Sequence, residues 1–278
     1  MRNGRSSSSE FGSSPDEIIQ TLKLTPLHTL QDLADLTDKL RKERESFKGR
    51  TVVVAGGTCG HARGSQAVFN SVRDELDKTG MQKNVVLRAS GCLGYCDQEP
   101  ILLILPERIF YPRVHPSRIS DIVKTTVKTG KVIEDLLWKD PTSGKRITCI
   151  DDIPFYKKQV RNISCTNEYI DPANILDYLA IGGYTALAKI LREHIRPEDI
   201  VEMITKSGLR GRGGAGFPTG KKWESAQKAN AVDGIKYVIC NADEGDPGAY
   251  ANRSLLEANP PAAHGRPRAG PTGCACCP

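Results

Sequence analysis

Between residues 50 and 130 the chain alternates short β-rich runs with helical patterns, and this alternation limits the possible folds more than any other feature. RTVVVAGG (50–57) and NVVLRASGC (84–92) are β-branched runs that end in glycine or a loop. Between them SQAVFNSVRDELDKTG (65–80) has helical spacing, with Ser65 as its expected cap and Gly80 as its stop. PILLILPERIFYPRV (100–114) holds two more short strands around a turn, and SRISDIVKTTVKTG (117–130) reads as a closing helix. The order β-α-β-β-β-α over about 80 residues predicts a small α/β domain with a central sheet.

Upstream, TLQDLADLTDKLRKERESF (29–47) spaces Leu30, Leu33, Leu36 and Leu40 as one face of an amphipathic helix. Downstream, DPTSGKR (140–146) is a turn cluster and 147–170 a poorly periodic connector. A second region has helical patterns at 172–194 and 197–207, a glycine-rich loop, and a helix around 221–231. IKYVIC (235–240) reads as a strand, followed by the polar loop NADEGDPGAY (241–250). The 278 residues fit one large domain or two ordinary ones.

No stretch approaches the roughly 18 apolar residues that span a bilayer, so direct membrane insertion is not expected. MRNGRSSSSEFGSSPDE lacks the apolar core of a secretion signal and reads as a disordered leader, taken to extend over 1–28. The net charge of +6 is spread without a basic, aromatic-interleaved patch, which argues against nucleic acid as a partner. Nine cysteines in a chain without a secretion signal point to metal or redox use more than to a disulfide framework.

Position sorts those cysteines. Cys59 lies in GGTCGHARGS, and Cys92 and Cys96 form a C-x3-C pair in SGCLGYCDQ. Each group follows a strand, so two loops at one sheet edge can bring three thiolates together, the ligand type an iron–sulfur cluster requires. A [2Fe–2S] cluster normally takes four. The competing reading is a small thiol-containing fold with no metal. C-x3-C is not the C-x-x-C of a redox dithiol. Cys149, Cys165 and Cys240 are isolated, and Cys274, Cys276 and Cys277 crowd the C-terminus.

LRGRGGAGFPTGKKW (209–223) has five glycines in its first twelve residues, and Gly211, Gly213 and Gly216 match G-x-G-x-x-G spacing. A dinucleotide fingerprint follows a strand and opens a helix. This loop follows the helical PEDIVEMITKSG, so it is read as a different glycine loop. Consecutive backbone amides can still turn toward an anion, with Arg210, Arg212, Lys221 and Lys222 supplying positive charge. Trp223 is expected to pack. In the polar loop, Asn241, Asp243, Glu244 and Asp246 stand just past the expected strand, where open α/β sheets bind ligands. The plainer readings are a hinge and a solvated acidic turn.

The cysteine segments resemble the thioredoxin-like [2Fe–2S] ferredoxin domain through V-x-x-G-x-C-x-x-x-x-G-S near 54–65, G-C-L-G-x-C at 91–96, P-x-L-x-I-x-P at 100–106, and the following IFYPRVHPSRISDIV. That family places its first cysteine a few residues before the one matching Cys59, where this chain has Ala55. Either a non-cysteine ligand completes the site, with His61 a candidate, or the domain has lost its cluster and serves as a docking scaffold. S-G-L-R-G-R-G-G-A-G-F-P-T-G-x-K-W and C-N-A-D-E-G-D-P-G-A-Y-x-N-R resemble the NADH- and FMN-binding flavoprotein subunit of respiratory complex I and its relatives in NAD(P)-reducing hydrogenases, whose fused architecture matches best.

The resemblance implies a thioredoxin-like [2Fe–2S] domain over 29–145, a linker at 146–170, and the N-terminal part of an α/β FMN/NADH-binding domain over 171–258. It implies Cys59, Cys92 and Cys96 as cluster ligands. It implies contact with FMN and NAD(P)H by Gly211, Arg212, Gly213, Gly214, Ala215, Gly216, Phe217, Pro218, Thr219, Gly220 and Lys222, and by Asn241, Asp243 and Glu244. No side chain is singled out as catalytic, because the cofactor carries the hydride chemistry. Other subunits of a multisubunit dehydrogenase or hydrogenase are the implied partners, in the cytoplasm or at the inner face of a membrane. The family continues into a second FMN loop, a ubiquitin-like domain and a helical [4Fe–4S] domain, none of which has a counterpart here. The last twenty residues, NPPAAHGRPRAGPTGCACCP (259–278), contain no Ile, Leu, Val or Phe and are read as an out-of-frame or truncated end. The alternative function is therefore a non-catalytic fragment or scaffold with a degenerate cluster site.

Overall fold

The computed structural model describes residues 26–260 apart from 163, 232, 233, 238 and 240. Most of the expected leader, the tail from 261, Cys240, Cys274, Cys276 and Cys277 lie outside the described residues. Helix α1 (Leu30–Ser46) starts at a reciprocal cap: Thr29 Oγ1 accepts the Asp32 N–H at 3.1 Å and Asp32 Oδ2 accepts the Thr29 N–H at 2.9 Å. Strand β1 (Arg50–Ala55), the short helix α2 (Thr58–Ala62), helix α3 (Ser65–Thr79) and strand β2 (Val85–Ser90) follow. Strands β3 (Leu102–Leu105) and β4 (Ile109–Tyr111) form a hairpin. A helical stretch over 116–127 closes this unit, with α4 (Ile119–Ile122) as its α-helical part. The cap of α3 differs from expectation. Gly64, at φ 93°, occupies the position before the helix, a conformation open to glycine, while Ser65 is fully buried inside the first turn. Gly80 ends the helix as expected, at φ 68°.

The sheet order is β2-β1-β3-β4. β1 runs parallel to β2, with Ala55 opposite Ser90, and antiparallel to β3. Alternation along the strands divides the core into two layers. Val52, Val54, Leu102, Ile104, Ile109 and Tyr111 face α3 and the closing helix. Val53, Ala55, Leu103, Leu105 and Phe110 face the other way, onto Trp138, Ile150, Ile153 and Tyr156. Those last residues come from a two-stranded ribbon, β5 (Trp138–Lys139) with β6 (Arg146–Ile147), and from the connector with its short helix α5 (Pro154–Lys157). The connector is aperiodic, as expected, yet it covers one whole face of the sheet. That explains why LLIL is apolar at every position.

Tyr111 ties β4 to the closing helix and the segment after it by hydrogen bonds. Its buried hydroxyl meets Thr126 Oγ1 at 2.8 Å and accepts the Ile133 N–H at 3.0 Å. Tyr111→Phe leaves the Ile133 N–H without its partner, while Thr126 Oγ1 keeps its bond to Lys131 O at 2.9 Å, and is expected to lower the unfolding free energy by about 1–3 kcal/mol in urea titration. No loss would mean that water takes over the bond to Ile133 N–H.

The remaining helices are α6 (Ile175–Ala180), α7 (Thr185–Arg192), α8 (Pro197–Lys206), α9 (Thr219–Lys228) and α10 (Ala251–Ala258). Asp177 on α6 ties this region to the sheet, accepting from Arg88 of β2 at 3.1 Å and from Arg44 of α1 at 3.3 Å. In the segment expected as a strand at 235–240, the described residues carry no strand pairing, with Tyr237 76% and Ile239 86% exposed. A strand needs a neighbour for its N–H and C=O groups, and among the described residues none lies beside it.

Candidate functional site

The parallel pairing of β1 and β2 places both strand ends at one edge, where the loops carrying the thiols meet. Gly56 N–H bonds Ser90 O at 2.7 Å and fixes the two loops side by side. A Cβ on Gly57 would lie 2.8 Å from the Cys92 Cβ, so glycine is what allows this approach. Cys59 sits on α2, Cys92 in the loop after β2, and Cys96 at the start of the turn Cys96–Gln98. The Cys59 and Cys96 thiols are hydrogen-bonded, and so are those of Cys96 and Cys92. Gly94, at φ 92°, turns its N–H onto Cys92 Sγ at 3.2 Å, and Asn167 Nδ2 donates to Cys92 O at 2.9 Å.

All three thiols are held above the usual cysteine range. For Cys59 the leading cause is the hydrogen bond to Cys96, and for Cys92 and Cys96 it is burial. They therefore meet as protonated, hydrogen-bonded neighbours. Among the described residues no group of three or more His, Cys, Asp or Glu side chains stands ready-made around a metal. In donor chemistry they fit three positions of a cluster, with Gly94 N–H already turned to sulfur. Ala55, wholly buried at the end of β1, offers no donor side chain. His61 is exposed and lines a cavity of about 340 Å³ with Gly56, Thr58, Ser90, Asp171 and Glu257.

Sequence reasoning missed a fourth group at this edge, Glu99. Burial drives its carboxyl up to about 7 from 4.5, with Arg63 and the Ile101 N–H opposing. The signal was an acid set between C-x3-C and an apolar strand. Folding thus favours the neutral acid: the stabilisation is complete below about pH 4.5 and is lost as pH rises through about 7. The unfolding free energy of metal-free wild type, relative to Glu99→Gln, is expected to fall over that window by about 3 kcal/mol. Parallel profiles for the two proteins would refute it.

α10 closes this edge from the second region, a contact the sequence did not announce. Thr58 Oγ1 donates to Glu257 Oε1 at 2.8 Å, and Arg253 Nε donates to the same oxygen at 2.8 Å. A Cβ on Gly91 would fall 2.0 Å from Ala258 Cβ, so helix and loop are in backbone contact.

The glycine loop follows α8 and opens α9, as expected, with no strand before it. Gly211 N–H donates to Phe217 O at 2.9 Å and Thr219 N–H to Leu209 O at 2.9 Å, which makes a narrow pinch around Arg210 and Pro218. Gly213, Gly214 and Ala215 form its exposed tip and Gly216 is half-buried behind it, with φ 108° at Gly214 and 61° at Gly216. Arg212 Nη1 turns back to Arg210 O at 2.9 Å. Lys221 and Lys222 stand exposed in the first turn of α9, where the helix dipole adds to their charge. Gly220 is buried against Thr205 of α8 instead of lying on the loop surface. Trp223 and Phe217 are both exposed, so the expected packing of Trp223 is only partial.

In the polar loop, Asn241 Oδ1 accepts the Asp243 N–H at 2.9 Å, and Glu244 caps α10, with both oxygens 3.1 Å from Asn252 N. Among the described residues no hydrogen bond or ion pair joins this loop to the glycine loop. The structure thus assembles the thiol site from distant segments, while among the described residues the two halves of the expected flavin site share no hydrogen bond or ion pair.

Residues 43–127 match the thioredoxin-like [2Fe–2S] ferredoxin family, and residues 204–262 match the Nuo51 FMN-binding domain. The NADP-reducing hydrogenase subunit HndC of Solidesulfovibrio fructosivorans is 50% identical over 104 residues, 37% of this chain and 20% of that protein. The NAD-reducing hydrogenase HoxS subunit alpha of Cupriavidus necator is 29% identical over 262 residues, 90% of this chain and 40% of that one. A subunit of the NADH-quinone oxidoreductase of Rhizobium meliloti is 53% identical over 83 residues, 30% of this chain and 19% of that protein. The chain thus spans two fifths or less of the length of these relatives.

Proposed function

We propose, from the premise that the chain carries a thioredoxin-like [2Fe–2S] ferredoxin domain and a Nuo51 FMN-binding domain, that it is part of an NAD(P)H-oxidising flavoprotein subunit of a multisubunit dehydrogenase or hydrogenase. FMN, when bound, accepts hydride and releases electrons singly to iron–sulfur centres. The chain's own residues bind and orient. The amides of the exposed Gly213 and Gly214 and of the half-buried Gly216, with the charge of Lys222, suit the phosphate end of FMN. Arg212, Ala215, Phe217, Pro218, Thr219 and Gly220 shape that loop, while Asn241, Asp243 and Glu244 suit the polar edge of the nicotinamide pocket. Cys59, Cys92 and Cys96 would hold the [2Fe–2S] group.

The glycine tip in left-handed conformation, beside a lysine-bearing helix start, carries this reading, because it is a phosphate cradle without the preceding strand of a dinucleotide fold. No helix among the described residues is long and apolar enough to cross a membrane. The reading places the subunit in the cytoplasm, where its thiols stay reduced, or at the inner membrane face through its complex. Fluorescence titration of the full chain with FMN and with riboflavin tests it. FMN is expected to bind at least about ten-fold tighter, a difference that Lys222→Ala reduces. Equal affinity for the two flavins would sink the phosphate role of the loop.

A further inference from the structure

Helix α10 lies in the segment that matches the FMN-binding domain, whereas the loops carrying Cys59 and Cys92 lie in the segment that matches the ferredoxin family. The first turn of α10 is at the surface, yet Ala258 at its end is wholly buried and Asn259 is 1% exposed. A helix end sunk this deep must find partners for its polar groups inside the protein.

Those partners flank the two thiols. Thr58, the residue before Cys59, directs its Oγ1 at both Glu257 oxygens, 2.8 and 3.0 Å away. Arg253 braces the pair, with Nε 2.8 Å from Glu257 Oε1 and Nη2 2.5 Å from Thr58 Oγ1. Gly91, the residue before Cys92, packs so closely that a Cβ on it would fall 2.3 Å from Ala258 Cα. Asn259 Nδ2 reaches Thr166 Oγ1 at 3.5 Å, and the adjacent Asn167 donates to Cys92 O at 2.9 Å. Thr166 and Asn167 are buried, so the Cys92 loop is held between the end of α10 and the connector. Cys59 is exposed while Cys92 is half-buried. The helix thus grips both thiol loops but shields the second.

We propose that α10 is a clasp that positions the two thiol loops and limits access to Cys92, with Glu257 as the positioning residue for the Cys59 helix and Ala258 for the loop after β2. The thiol edge of the ferredoxin-like segment is thereby completed by a helix of the FMN-binding segment. The polar anchor is solvated and the apolar anchor is one small side chain, so the clasp opens locally while the sheet stays folded. The frequency of that opening sets how often a reagent meets the Cys92 sulfur. The proposal concerns the metal-free chain and stands apart from whether a cluster or FMN binds.

The test uses the full chain, reduced and metal-free, alkylated with iodoacetamide and read by peptide mass spectrometry. Rates at Cys92 and Cys59 are compared with Cys149, which lies beside β4 and serves as the internal reference. Amide hydrogen exchange over 89–96 is followed in parallel. Glu257→Ala is expected to speed Cys92 alkylation and exchange over 89–96 by about ten-fold, the effect of losing hydrogen bonds to a charged group. Cys59, already exposed, is expected to change less than about two-fold, and Cys149 not at all. Glu257→Gln keeps an acceptor for Thr58 and is expected to fall between wild type and Glu257→Ala. Adding Thr58→Val to Glu257→Ala is expected to change nothing further, since both remove one contact. Ala258→Asp sets a charge against Gly91 and is expected to give the largest rise at Cys92. Unchanged Cys92 rates in Glu257→Ala and Ala258→Asp overturn the proposal. An equal rise at Cys149 also overturns it, because that reports general loosening. A rise in Ala258→Asp with none in Glu257→Ala overturns the role of Glu257.

Discussion

Arg108→Ala is expected to cost about 3–5 kcal/mol and to leave the metal-free chain barely folded in urea titration. Arg108 sits in the β3–β4 turn and forks between two carboxylates, with Nη2 3.0 Å from Asp151 Oδ1 and 3.3 Å from Glu168 Oε2, and Nη1 also bonded to Glu168. Burial alone pushes the guanidinium down, but the two acids outweigh it and hold it above its usual range. Glu168 is buried, so removing the arginine strands a negative charge in the interior, which is worse than removing the whole pair. The contact also pins the connector, which carries Asp151 and Glu168, to the β3–β4 turn. Arg108→Lys keeps the charge and loses the fork, so an intermediate loss is expected. A loss below about 1 kcal/mol for Arg108→Ala would show that Glu168 reaches water when its partner is removed.

Gly220→Val is expected to separate α9 from α8 and to abolish phosphate-dependent flavin binding. A Cβ at Gly220 would meet Thr205 Oγ1 at 2.1 Å and Thr205 Cα at 2.7 Å, so one helix must move. Overpacking of this kind costs about 1–3 kcal/mol, and it also displaces the glycine loop that the two helices hold at its ends. Proteolysis within 209–218 is expected to accelerate, and the preference for FMN over riboflavin to vanish. Thr205→Ala removes the clash with oxygen but not with the backbone, so it should rescue in part. Full flavin discrimination in Gly220→Val would separate the loop's function from the packing of its helices.

Gly220 shows how the sequence both informs and misleads. Its place in a glycine run suggested a ligand contact, and the same residue type serves helix packing instead. Gly214 and Gly216 do have the left-handed conformations that the run implied. The strands over 50–111 were legible because β-branched runs between turn residues have few other uses. IKYVIC has the same look, yet its described residues Ile235, Lys236, Tyr237 and Ile239 carry no strand pairing, because pairing depends on a neighbour that the local pattern does not contain. Ile150, Ile153 and Tyr156 escaped notice as core for a related reason: they lie in turns and a four-residue helix, where no period marks a buried face.

The sequence alone determined the types of most elements, the absence of a strand before the glycine loop, and the thiols at Cys59, Cys92 and Cys96. These follow from local backbone preference and residue chemistry, which reach only a few positions along the chain. The tertiary structure alone decided that β1 and β2 end together, that α10 seals their edge through Glu257 and Ala258, and that Glu99 is buried against Gly60 near the end of β1 with one oxygen unpartnered. Such facts depend on pairings between distant segments, and a carboxylate's surroundings are set by whichever segments those pairings bring against it.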